Sequence, residues 1–141
     1  MSPARGTPLP AAAICLSPWA DLTNTGESFK KNPRIDPMIT RFDLDFAAYL
    51  YLGDEDPRNP LASPVYANLE GLPPILIQTG RIEDLLDDSI TFAKRAKEAG
   101  VDITLDIWDD MIHVFQATFV VTPEGKQGLE KIGEFIKKYF V

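Results

Sequence analysis

Residues 75–108, ILIQTGRIEDLLDDSITFAKRAKEAGVDITLDIW, carry a strand–helix–strand pattern. Ile75-Leu76-Ile77 is a short apolar run between Pro74 and Gly80, the pattern of a strand covered on both faces. From Leu85 to Ala99 the spacing predicts a helix with Leu86, Ile90, Ala93 and Ala96 or Lys97 along its face, and Gly100 stands where it should end. Val101, Ile103, Leu105 and Ile107 then alternate with Asp102, Thr104, Asp106 and Trp108. That period of two predicts a strand with one wetter face, near the edge of a sheet.

Working outward, the same alternation of elements continues in both directions. Upstream, Ala11 to Leu16 runs apolar into Ser17-Pro18, a short buried strand stopped by a proline. Asp21 to Pro37 is polar and broken by Gly26, Pro33 and Pro37, and reads as an irregular connection. Thr40 with Asp43 has the form of a capping box, and Phe42, Phe46, Tyr49, Leu50 and Leu52 follow at helical spacing, which predicts a helix over Arg41–Leu52. Turn-forming residues from Gly53 to Pro74 predict a long surface loop. Downstream of a loop around His113, Pro123 opens a final helix carrying Leu129, Ile132, Phe135, Ile136 and Tyr139. Strand, helix, strand, helix, strand, helix is the order of an α/β fold with a parallel sheet and right-handed crossovers.

The composition narrows the function classes. The chain has 141 residues, 45% of them hydrophobic and 25% charged, and is expected to form a single domain. Fourteen basic against 21 acidic residues give a net charge of −7, which disfavours nucleic acid as a partner because phosphate recognition needs Lys and Arg. A single cysteine, Cys15, rules out an internal disulfide and a cysteine-rich metal site, and fits a reducing compartment, so the cytoplasm is the expected location. No apolar run approaches the roughly 20 residues of a membrane span, and the opening residues lack the apolar stretch of a signal peptide.

In parallel α/β sheets, chemistry collects in loops at the carboxyl ends of the strands. Glu83 lies three residues beyond Gly80, and His113 five residues beyond Trp108. If the two strands are neighbours, roughly 4.8 Å apart, the carboxylate reaches the imidazole. A histidine oriented by a carboxylate is the general-base half of a nucleophilic triad. Asp84, Asp87 and Asp88 have a plainer explanation, because acids in a first helical turn complement the helix dipole. A divalent-cation site at these three is the weaker alternative. No cofactor and no metal are expected.

Five segments resemble the hormone-sensitive-lipase-like (family IV) esterases and lipases, in that family's order: Ser17-Pro18-Trp19-Ala20-Asp21-Leu22-Thr23, Asp56 to Pro64, Gly71-Leu72-Pro73-Pro74, Gly80 to Ser89, and Met111-Ile112-His113-Val114-Phe115. The resemblance runs from about Leu9 to the C-terminus. It implies a partial α/β-hydrolase fold, the last three strands of an eight-stranded sheet, and a carboxylic ester hydrolase acting on acyl esters. Glu83 aligns with the triad acid, Asp87 being the runner-up, and His113 aligns with the triad base. Asp21 is expected to anchor its loop and Trp19 to pack. The family's His-Gly-Gly-Gly-type oxyanion segment and Gly-x-Ser-x-Gly elbow do not occur in this sequence. The chain is therefore expected to be the C-terminal portion of the catalytic unit, inactive alone, with its first strand exposed and driving homo-oligomer formation. The alternative is a non-catalytic α/β association module from a truncated reading frame.

Overall fold

The computed structural model describes residues 8–31 and 36–139. Three strands, β1 (Ala13–Leu16), β2 (Ile75–Gly80) and β3 (Ile103–Trp108), form one parallel sheet in the order β1-β2-β3. Four helices accompany them: α1 (Ser28–Lys31), α2 (Arg41–Leu52), α3 (Leu86–Glu98) and α4 (Pro123–Tyr139). Ala13 stands beside Ile75, and Ile75 beside Ile103, so alternate residues of all three strands share a face.

One face of the sheet presents Ala13, Cys15, Ile75, Ile77, Ile103 and Leu105, and α3 covers it with Phe92, Ala93 and Ala96. The opposite face carries Gln78, Asp106 and Trp108 and lies against α4: Gln78 donates to the Gly128 carbonyl at 3.1 Å, and Lys131 reaches the Asp106 carboxylate at 3.1 Å. With a helix on either side, all six residues of β2 are buried, as its continuous apolar run predicts. On this face α4 meets β3 through Lys131 on Asp106, and its last turn reaches Asp102, just before the strand, through Lys138 and Tyr139.

The capping box forms in full, with Asp43 N–H donating to Thr40 Oγ1 and Thr40 N–H to the Asp43 carboxylate, and α2 spans the predicted residues. Gly100 ends α3 in the left-handed region, φ +79°, where only glycine is unstrained. Other expectations need correction. Residues 21–37 include a helical turn, α1, whose Ser28 N–H is taken by Asp87 at 2.8 Å, a partner 59 residues away that no local pattern reveals. The 53–74 segment is no mere surface loop. It contains a 3₁₀ turn at Pro64–Tyr66 and buries Ser63, Val65 and Leu69 against the core. In α3 the buried stripe is Asp88, Ser89, Phe92, Ala93 and Ala96, while Ile90 is exposed, so the true face is rotated from the predicted one. In α2 the inward residues are Leu44 and Ala48, and Phe42, Phe46, Tyr49 and Leu50 point to solvent. Among the described residues, no helix is long and apolar enough to cross a membrane.

Candidate active site

The site forms where β2 and β3 end side by side. Arg81 N–H donates to the Trp108 carbonyl at 2.8 Å, which ties the two strand exits together. The loop after β3 then folds back over the end of β2 so closely that a Cβ on Gly80 would lie 2.0 Å from the Met111 carbonyl oxygen. Glycine at position 80 is therefore a steric requirement of the turn that carries the histidine.

Glu83 is fully buried, and its two oxygens have separate tasks. Oε1 accepts from Ser17 Oγ at 3.0 Å, from Gly80 N–H at 2.5 Å and from the Thr79 hydroxyl. Oε2 faces His113 Nδ1 at 3.0 Å. Three donors on one oxygen fix the orientation of the carboxylate, leaving the other oxygen for the ring. The His113 side chain is 18% exposed, and Nε2 has no hydrogen-bond partner among the described residues. Phe115, fully buried against the Trp108 ring at 5.0 Å, holds the far end of the loop. An imidazole held through Nδ1 with Nε2 open has the geometry of a general base.

Asp87, the runner-up acid, does not make this bond, since its Oδ2 accepts from Ser28 N–H. Asp88 is buried, and its Oδ2 accepts from the N–H groups of Ala20 and Asp21, both at 2.8 Å. Burial, ahead of the charges of Asp21 and Asp87, pushes its carboxyl up to about 7 despite those two donors. Asp84 is also buried, and desolvation followed by the charge of Asp36 pushes it up to about 6. Asp87 and Asp88 thus do more than meet a helix dipole, because each fastens a distant backbone segment to the start of α3. Asp21 accepts from Thr23 N–H and hydroxyl on one oxygen and from Tyr66 on the other, so it anchors its loop, and Trp19 packs with its N–H on Asn24 at 2.8 Å.

Two residues escape the sequence reading. Asp36 places a carboxylate oxygen within 4.8 Å of the Glu83 and His113 ligand atoms, making an Asp/Glu/His group of the kind that binds cations. A cation there would compete with the Glu83–His113 bond itself. Its carboxylate also receives N–H groups from Met38 at 2.9 Å and Asp84 at 3.2 Å. Asp36-Pro37 looks like punctuation in an irregular stretch, so nothing local marks it. Ser17 lacks the flanking glycines of an elbow and gives no hint that it donates to Glu83. Cys15, a half-buried β1 residue whose thiol burial pushes up, is held in the un-ionised form and is no ready nucleophile.

A protein-family profile described as alpha/beta hydrolase fold matches residues 1–117. An acetyl-hydrolase of Streptomyces hygroscopicus is 44% identical over 132 residues, covering 94% of this chain and 44% of that protein. An esterase of Acinetobacter venetianus is 38% identical over 128 residues, covering 90% and 42%. The crystal structure of an esterase from the bacterial hormone-sensitive lipase family superposes with a TM-score of 0.94 at 53% identity, covering 96% of this chain and 46% of that one. The chain thus spans less than half the length of each of these relatives. A parallel sheet with helices on both faces, a carboxylate–imidazole contact at its carboxyl ends and matches of this extent lead to one assignment: the chain belongs to the α/β-hydrolase fold family, in its hormone-sensitive-lipase-like branch.

Proposed function

We propose that the chain supplies the acid and base of a serine carboxylic-ester hydrolase, His113 as general base and Glu83 as the residue that orients it. The observation that carries this reading is the 3.0 Å contact of Glu83 Oε2 with His113 Nδ1, made by a carboxylate whose other oxygen is already locked. In the reaction, Nε2 takes the proton of a serine as it attacks the acyl carbon, then returns it to the departing alcohol. Glu83 fixes the tautomer and stabilises the imidazolium between those steps. The esterase and acetyl-hydrolase names of the relatives support an acyl ester as substrate. A glycine-flanked serine and a His-Gly-Gly-Gly-type segment do not occur in these 141 residues, so by that route the chain alone should be inactive. The lone Cys15 favours a cytoplasmic setting.

Hydrolysis of a nitrophenyl ester is the test. A polypeptide of these 141 residues should give no turnover above buffer. Supplied with a companion segment bearing a glycine-flanked serine, it should turn over, and His113→Ala should lower that rate by about 10³-fold or more. Robust turnover by the lone chain, abolished by His113→Ala, would overturn the reading of incompleteness.

A second reading rests on β1. Among the described residues it pairs with β2 on one side only, and its four residues are half-buried. An open strand edge is a template for pairing, and association of two copies through β1 would make the chain an assembly module. Light scattering at high concentration should then report a dimer or larger species, and a strict monomer would refute it.

A further inference from the structure

We propose that Ser17 is the positioning residue that sets the spacing between acid and base, an inference that rests on reading Glu83 and His113 as that pair. A hydroxyl offers one proton and two lone pairs, and Ser17 uses both kinds. Its Oγ donates to Glu83 Oε1 at 3.0 Å and accepts from Val114 N–H, the residue after His113, at 2.9 Å. Among the described residues, only Ser17 hydrogen-bonds both Glu83 and the backbone adjoining the histidine. Thr79 and Gly80, at the end of β2, hold Glu83 and make no hydrogen bond to Val114.

The backbone on either side of this bridge is set in the left-handed region. Ser17 has φ +46° and Val114 φ +50°. A β-branched residue rarely adopts that conformation unless its surroundings enforce it. Val114 takes it where its N–H meets Ser17 Oγ. Ser17 is aimed by its own turn, because its N–H still donates to the Gln78 carbonyl at 2.8 Å, extending the β1–β2 ladder by one residue before the chain departs. Ser17 is 3% exposed, so water is a poor substitute for either bond. The end of β1 thereby reads the position of Glu83 and transmits it to the histidine loop.

The test uses the full 141-residue chain labelled with ¹⁵N-histidine, in which His113 is the one histidine and gives one ring spectrum. In the unaltered chain the Nδ1 proton should be observed, shifted downfield and slow to exchange. Ser17→Gly removes the hydroxyl while relieving the left-handed backbone. Exchange of that proton should become about tenfold faster or more, because both bonds through Oγ are lost, while the relieved backbone offsets part of the fall in urea midpoint. Ser17→Thr keeps the hydroxyl but strains the backbone, and should restore slow exchange at a lower urea midpoint. Slow exchange in Ser17→Gly, or fast exchange in Ser17→Thr, would overturn the positioning role alone. An unaltered chain with no Nδ1 proton would take down the acid–base pair as well.

Discussion

Glu83 is fully buried, and the three donors on Oε1 satisfy that oxygen in the interior. Glu83→Ala strands all of them in the interior and should cost about 1–3 kcal/mol, read as a shift of the urea midpoint. Glu83→Gln should cost less, because the amide oxygen still accepts from them. Its NH₂ would then face His113 Nδ1 and turn that nitrogen into an acceptor, so the Nδ1 proton should vanish from the histidine spectrum. Asp88 gives a pH signature of a definite sign. Its folded-state pKa, about 7, lies above the ordinary 3.8, so between these values the folded chain holds a proton that the unfolded chain has lost. Stability should therefore be greatest below about pH 4 as far as this group is concerned and fall as pH rises through about 7, by up to roughly 4 kcal/mol. Asp88→Asn, which retains an acceptor for Ala20 and Asp21, should flatten that slope in urea titrations taken from pH 4 to 8. The positions of Glu83 and His113 are legible because both lie just past recognisable strand ends. The duties of Ser17, Asp36 and Asp88 are hidden, since each bonds to groups tens of residues away.

Elements whose signals are local emerge correctly from the sequence. Thr40 and Asp43 lie within one turn, so the start of α2 is readable, and Thr40→Ala should cost about 1 kcal/mol by thermal melt. The strands β2 and β3 are equally plain, one by its unbroken apolar run and the other by alternation. The face of α3 is not, because Asp88 and Ser89 are buried and Ile90 is exposed, the reverse of what hydrophobicity alone implies. At position 80 one element presses on another. Gly80→Ala must move the Met111 carbonyl, which should cost roughly 1–3 kcal/mol and displace His113 from Glu83. A downfield Nδ1 proton unchanged by that substitution would contradict the geometry.

At the scale of the molecule, the sheet order and the two covering helices follow from the alternation of elements, whereas the exposed face of α2 does not. Phe42 is 78% exposed and Tyr49 69%, an apolar stripe that a count of helical spacing assigns to the interior. The proposed site draws on all three strand ends, and its ties are long in the chain. Ser17 lies 66 residues from Glu83 and 97 from Val114, whereas Thr79 and Gly80 lie within four of it. Closing loops of that size costs entropy that only a late stage of folding can repay. On warming, the histidine signal should consequently disappear several degrees before the far-ultraviolet ellipticity of α3 and α4 declines. Refolding should recover helix first and the ring proton last. The machinery proposed for chemistry would then be the least durable part of the molecule, dissolving while its scaffold still stands.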